Sequence, residues 1–85
     1  MSINRKYTIN KSGDSKQKTL SGDFCFSAVD AANKYIKEFM PDYCLVSCRY
    51  SAVKETQRNG LHTLYVAEVV NQNEGRGVLL YIREH

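Results

Sequence analysis

The first third of the chain alternates apolar and polar residues in two short stretches, which predicts a pair of strands. Tyr7 and Ile9 alternate with polar neighbours, and the segment KSGDSKQK that follows has turn-forming chemistry. Apolar residues then recur at even positions, namely Leu20, Phe24 and Phe26. We therefore expect a second strand over these positions, broken or bulged at Gly22, that pairs with the first strand as a hairpin.

The pattern changes to a helical period after this hairpin. Ser27 and Asp30 stand three residues apart, the spacing at which two side chains cap the free amides of a first helical turn. Apolar residues then form one stripe at helical spacing: Ala28, Ala32, Tyr35, Ile36 and Phe39. Pro41 follows Met40 directly and would end the segment. These residues predict one helix whose alanines allow it to lie close to a sheet.

The second half of the chain contains three apolar stretches, which predict three strands. The segment YCLVSCRYSA alternates in polarity, LHTLYVAEVV is apolar at both parities as in a central strand, and VLLYIRE forms the last strand. Asn59 and Gly60 lie between the first two and favour a two-residue hairpin turn. The order ββαβββ predicts an α+β protein with a single domain over residues 1–85. Its fold would be one antiparallel sheet of about five strands with the helix on one face.

The predicted turn sets a register for the third and fourth strands. It would place Tyr50 opposite Val69, with Val46 and Cys48 on the same face, which the helix would cover. The other face would keep a set of apolar residues, namely Val53, Leu64, Val66 and Val70, with Arg49 near Glu68. The last strand would add to it either Leu79 and Tyr81 or Val78, Leu80 and Ile82. An apolar face of this kind needs a homodimer or another protein to cover it, unless a strongly twisted sheet buries both sides.

Composition places the chain among small soluble proteins. It has 85 residues, of which 42% are hydrophobic and 25% charged. No stretch approaches the ~18 apolar residues of a membrane helix, and no apolar run follows the first basic residues as it would in a secretory signal. Three cysteines, an odd number, are typical of a reducing compartment. We therefore expect a cytoplasmic protein that does not associate with membranes.

The net charge of +3 is concentrated at the start of the chain. Residues 1–18 carry five basic and one acidic side chain, whereas residues 19–85 carry seven basic and eight acidic ones. The basic side chains of the first hairpin are Arg5, Lys6, Lys11, Lys16 and Lys18. Such a group is typical of contact with nucleic acid or an acidic protein surface, and also of a solvated arm. With Tyr7 available for stacking, a nucleic-acid-binding protein that uses this hairpin is the alternative hypothesis.

Two cysteines lie four residues apart on a predicted strand, which bears on metal and redox chemistry. At ~3.3 Å per residue, Cys44 and Cys48 would lie about 13 Å apart. Two thiolates on one zinc lie within about 4 Å of each other, and a disulfide needs α-carbons within ~7 Å. We therefore expect structural roles for both, as for Cys25 near the predicted helix start, and no metal or cofactor. The sequence also lacks a paired-carboxylate motif and a glycine-rich phosphate loop, so we predict that the protein is not an enzyme.

Several segments together resemble a known group of proteins. These are a basic opening strand (RKYTIN), a capped helix (SAVDAANKYIKEF) and a terminal antiparallel set (CLVSCRYSAV, LHTLYVAEVV, VLLYIRE). Their layout resembles small phage-encoded anti-CRISPR proteins, particularly inhibitors of type I surveillance complexes. The resemblance implies a non-enzymatic protein that acts in the host cytoplasm by binding an effector complex. The positive net charge departs from the acidic, DNA-mimicking members, so the contacts would be of another kind.

Taken together, the residues and the resemblance predict a protein-binding inhibitor that blocks a host protein or ribonucleoprotein complex by covering part of its surface. The candidate contact residues are the basic group of the first hairpin and one sheet face. They are Arg5, Lys6, Lys11, Lys16, Lys18, Arg49, Val53, Leu64, Val66 and Val70.

Overall fold

The computed structural model describes the backbone of residues 5–14, 16–56 and 60–84, and the side chains of residues 5–14, 16–51 and 64–84. Its elements are β1 (Arg5–Lys11), β2 (Gln17–Gly22), α1 (Ala28–Phe39), β3 (Tyr43–Thr56), β4 (Gly60–Asn71) and β5 (Gly77–Glu84). This order confirms the predicted ββαβββ arrangement and the α+β class. The described part of the chain contains no helix with the length and apolar character that crossing a membrane requires.

The five strands form one antiparallel sheet in the order β2-β1-β5-β4-β3. The last strand of the chain therefore lies at the centre, between the first strand and β4. Ile9 of β1 pairs with Ile82, and Tyr65 of β4 pairs with Ile82 from the other side. LHTLYVAEVV was expected to form a central strand, and β4 does lie inside the sheet, whereas β2 and β3 form its edges.

The helix begins and ends where the sequence predicts. Ser27 Oγ accepts a hydrogen bond from the Asp30 amide at 3.3 Å, and the Ser27 amide donates to Asp30 Oδ2 at 3.0 Å. At the other end the Met40 amide donates to the Ile36 carbonyl at 2.9 Å, and Pro41 follows. Both ends of the helix are therefore capped by local contacts that the sequence specifies.

The core lies between α1 and one face of the sheet. The helix contributes Ala28, Ala31, Ala32, Tyr35 and Ile36. The sheet contributes Tyr7, Ile9, Leu20, Ala67, Val69, Leu80 and Ile82. Small side chains on the helix and on β4 allow the two layers to approach closely. The predicted stripe omitted Ala31, which is fully buried, and included Phe39, which is 45% exposed and packs against Tyr35 with 5.1 Å between ring centroids.

The second strand is shorter than predicted. It ends at Gly22, and Phe24 lies in the following turn with 67% of its surface exposed. Phe26 leaves the strand direction and packs against Tyr7, with 5.9 Å between the ring centroids. The turn is closed by a hydrogen bond from the Phe26 amide to the Asp23 carbonyl at 3.0 Å. The prediction of a strand through Phe26 was therefore wrong, because the chain turns to bring that ring over Gly22.

The predicted register of β3 and β4 was also wrong. Tyr50 pairs with Tyr65 and not with Val69, and Thr56 pairs with Gly60. Of the predicted two-residue turn, Asn59 lies outside the described residues, and Gly60 is the first residue of β4 and not a turn residue. Two irregularities, at Val46 and Ser51, each insert one extra residue into β3. Bulges shift a register without leaving a signal in simple alternation, so the sequence pattern could not place them.

Candidate functional site

The sheet has one face covered by α1 and a second face, here called the open face, that no described helix covers. Side chains alternate across a strand, so burial of Leu80 and Ile82 under the helix directs Leu79 and Tyr81 to the open face. This decides between the two alternatives left for the last strand.

The centre of the open face is apolar. It consists of Leu64, Val66 and Val70 of β4 with Leu79 and Tyr81 of β5. Val66 pairs with Tyr81 in the register, and Leu79 is 37% exposed. The predicted positions of Leu64, Val66 and Val70 on the face away from the helix agree with this arrangement. Val53, also predicted there, pairs with Thr63 in the backbone register, and its side chain lies outside the described residues.

The rim of the open face is mostly basic. Lys6 of β1, Arg83 of β5 and Arg49 of β3 are exposed and share the parity of the apolar centre. One carboxylate, Glu68, lies among them; it is opposite Ser47 and diagonal to Arg49. The described charges on this face are therefore three cations and one anion. The predicted contact residues did not include Arg83. The face on which Arg83 lies depends on whether the helix covers the odd or the even positions of the last strand, and the sequence left this open.

A cleft of about 290 Å³ opens at the β3 edge of this face. It is lined by Arg49, Tyr50, Ser51 and Val66. Ser51 is the extra residue of the second bulge, since Tyr50 pairs with Tyr65 and Ala52 with Leu64. The Tyr50 ring packs against Tyr65 on the helix side, so the side chains that can donate hydrogen bonds on this face are those of Arg49 and Ser51, beside the apolar Val66.

The basic residues of the first hairpin do not form one surface. By alternation Lys6 faces the open side, whereas Arg5 and Lys11 share the parity of Ile9, on the side of α1. Arg5 and Lys11 stand six positions apart on β1, about 20 Å at the rise of a strand. Lys18 Nζ lies 5.2 Å from the Phe39 ring centroid, and Lys16 lies in the connection before β2. Of the ten predicted contact residues, the structure brings together Lys6, Arg49, Leu64, Val66 and Val70.

The two cysteines of β3 face opposite sides of the sheet, whereas the sequence pattern placed them on the same side. The bulge at Val46 reverses the parity of β3, so Cys44 pairs with Val70 on the open face and Cys48 pairs with Ala67 on the helix side. Burial raises the pKa of the Cys48 thiol above its ordinary value of 9.0. Cys25, expected to have a structural role, is exposed in the turn before the helix and is not part of the core. Among the described residues no three His, Cys, Asp or Glu side chains lie close enough to hold a metal ion.

A cluster of ionisable groups lies on the helix side, where β1 meets β5. The Tyr7 hydroxyl lies 2.9 Å from Glu84 Oε1 and 3.3 Å from the Phe26 carbonyl, and its single hydrogen favours the shorter, charge-assisted bond. Burial and the Glu84 carboxylate raise the pKa of Tyr7, and burial also raises the pKa of Tyr65. Both phenols therefore stay protonated at neutral pH, and Tyr7 links the last strand to the start of the helix.

Comparison of the chain with protein-family models, curated proteins and solved structures gives no match.

Proposed function

We propose that the protein is a small non-enzymatic inhibitor that binds a host effector complex through its open face, in the manner of a phage-encoded anti-CRISPR protein acting in the host cytoplasm. The observation that supports this most is the apolar centre of the open face, bordered by Lys6, Arg49 and Arg83. Apolar groups surrounded by charge on an uncovered face are typical of protein-binding surfaces.

The size of the face limits how much of the contact it can supply. The five strands side by side are about 24 Å wide, and the part of them with described side chains is about 20 Å long. The area of the open face is therefore on the order of 500 Å². A stable interface buries about 800 Å² on each partner. The partner must therefore also contact neighbouring parts of the molecule, and β3 and β4 supply such a part because both extend beyond the last paired residues of β5.

The charge of the face favours an acidic partner over a second copy of the chain. A face-to-face homodimer would bring together two rims whose described residues each supply three cations and one anion, which is unfavourable. Sheet faces that bind single-stranded nucleic acid stack bases on aromatic side chains. Tyr81 is the one aromatic among the described residues of the open face, and its neighbours there are aliphatic. A protein surface with apolar and acidic groups fits these residues better than nucleic acid does.

The experiment measures phage plating on bacteria that carry active type I CRISPR–Cas systems of several subtypes. Expression of the protein is expected to restore plating of a targeted phage in at least one subtype, while plating of an untargeted phage stays unchanged. Leu79→Gln keeps the size of an exposed side chain but brings an amide into the contact, and should weaken binding about tenfold, or ~1.4 kcal/mol. The matched control is Val29→Gln, since Val29 is 42% exposed on α1, which packs on the other face of the sheet.

Unchanged plating in every subtype would contradict the anti-CRISPR proposal. Equal loss of inhibition in Leu79→Gln and Val29→Gln would contradict the assignment to the open face. Circular dichroism of both variants checks that the fold is kept.

A further inference from the structure

The cleft beside the Ser51 bulge contains the donors of an anion-accepting site. The Arg49 guanidinium offers N–H groups in a fixed fork, and Ser51 adds a hydroxyl, whereas the Tyr50 ring packs against Tyr65 on the helix side with 5.7 Å between ring centroids. We propose that this cleft receives the carboxylate of an Asp or Glu side chain from the protein that covers the open face. This inference rests on the proposed function and specifies the chemistry of the partner at one point of the contact.

The residue inserted by the second bulge, Ser51, lines the cleft. Ser51 has no opposite residue on β4, so the backbone of β3 bends there and the local twist increases. Arg49, two positions earlier, stays in register opposite Val66. A donor-lined concavity thus lies directly beside the apolar centre of the face, where a partner side chain can enter without leaving the interface.

The guanidinium of Arg49 is available to a ligand. It is exposed, and it forms no hydrogen bond or ion pair with any described residue. Glu68, the carboxylate among the described residues of this face, is a diagonal neighbour, a relation that separates α-carbons by about 7–8 Å. Guanidinium groups bind carboxylates in a two-point fork, so an incoming carboxylate can use a geometry that Glu68 does not occupy.

The volume and the walls of the cleft favour one side chain of a protein. Sites for whole small molecules occupy roughly 300–1,000 Å³, and this cleft is about 290 Å³ and open to solvent. Val66 forms one wall, with Leu64 and Tyr81 next to it on the face. A carboxylate flanked by apolar groups fits this surface, whereas a nucleic-acid phosphate brings a polar backbone against it.

The test is a titration followed by backbone amide chemical shifts. The probe is a blocked tripeptide, Leu-Glu-Leu, and its matched control is Leu-Gln-Leu, which has the same shape without the charge. We expect the Glu peptide to shift the amides of Ser51 and Val66 with an affinity in the millimolar range. The Gln peptide is expected to produce shifts several-fold smaller, and about 0.5 M salt is expected to screen the difference.

Two variants and one control assign the charge effect to the cleft. Arg49→Gln is expected to abolish the preference for the Glu peptide, and Glu68→Gln to increase affinity for it by removing a like charge. Arg76→Gln, which changes an exposed arginine in the β4–β5 connection, is expected to leave both titrations unchanged. Equal shifts with both peptides, no shifts at either amide, or a preference that survives in Arg49→Gln would each overturn the inference.

The peptide titration and the plating experiment together separate this inference from the proposed function. If the Glu peptide binds as expected but plating never changes, the cleft stands and the anti-CRISPR proposal fails. If plating is restored equally by the wild type and by Arg49→Glu, the inhibitor stands and the cleft fails. A short single-stranded oligonucleotide that shifts Ser51 and Val66 at a lower concentration than the Glu peptide would assign the cleft to phosphate and contradict the choice of a protein carboxylate.

Discussion

Gly22 shows how a single missing side chain directs the chain from the hairpin into the helix. A Cβ added to Gly22 would overlap the Phe26 ring, with Cδ1 at 2.6 Å and the Phe26 Cβ at 2.7 Å. The nearest atoms include the root of that side chain, so a rotation of the ring alone does not relieve the overlap. Glycine is therefore required here by close packing, since its backbone angles are ones that other residues also adopt.

We expect Gly22→Ala to destabilise the fold by about 1–3 kcal/mol, the usual cost of overpacking a core. The measurement is the urea midpoint at neutral pH. Gly77→Ala is the matched control, because the Cβ added there would meet nothing closer than a carbonyl oxygen at 3.9 Å. A loss within ~0.5 kcal/mol is expected at Gly77. Equal effects at the two positions would show that Phe26 can move away from β2.

At the level of the helix, the capping residues account for a measurable part of the stability. Ser27→Ala removes the hydroxyl that accepts from the Asp30 amide, and such losses cost about 1 kcal/mol. Thermal or urea unfolding measures the change, and the helical circular dichroism signal should be kept. Ser21→Ala, an exposed serine in β2, serves as the control and is expected to be neutral. A Ser27→Ala protein as stable as the wild type would mean that packing of Tyr35 and Ile36 alone holds the helix in place.

The sequence predicts some elements better than others. An element is predictable when the contacts that form it join residues close together in the sequence. The helix depends on contacts within one turn, such as Ser27 with Asp30, and on the proline after Met40, so its ends could be predicted. The register of β3 depends on two inserted residues whose effect appears only when Leu45 and Cys48 both pack on the helix side. The alternation of apolar and polar residues along one strand does not show which residue is left without a partner on the neighbouring strand.

The same limit applies to the candidate site. Leu64, Val66 and Val70 could be placed on the open face because β4 has no bulge and keeps its alternation. The cleft at Ser51 could not be predicted, since Ser51 is an inserted residue whose position the alternation does not reveal. Bulges on an exposed edge also discourage pairing with another strand. The two on β3 therefore favour binding through the open face over addition of a partner strand to this edge.

At the scale of the whole molecule, the first strand, the last strand and the start of the helix meet at one side chain. Tyr7 is 1% exposed on β1, its partner in the register is Glu84 of β5, and its ring packs on Phe26. Burial raises the pKa of Tyr7, Tyr35, Tyr65 and Cys48 alike. Because each of these groups is neutral when protonated, the folded state holds their protons more tightly than the unfolded chain does. Stability should therefore fall at alkaline pH.

The substitution Tyr7→Phe removes the hydrogen bond between Tyr7 and Glu84 and keeps the aromatic ring. At pH 7 the loss of the hydrogen bond to Glu84 is expected to cost about 1.5 kcal/mol. The pKa of Tyr7 is raised above 10.0 in the fold, so its contribution is fully present below pH 10 and is lost as pH rises through the higher folded value. Urea midpoints between pH 8 and pH 11 should therefore show the gap between wild type and Tyr7→Phe narrowing above pH 10. Tyr81→Phe, on the open face, is expected to stay within ~0.5 kcal/mol of wild type at pH 7. A gap that stays constant or widens up to pH 11 would show that the Tyr7 phenol ionises at least as easily in the fold as in the unfolded chain, and that Glu84 does not hold its proton.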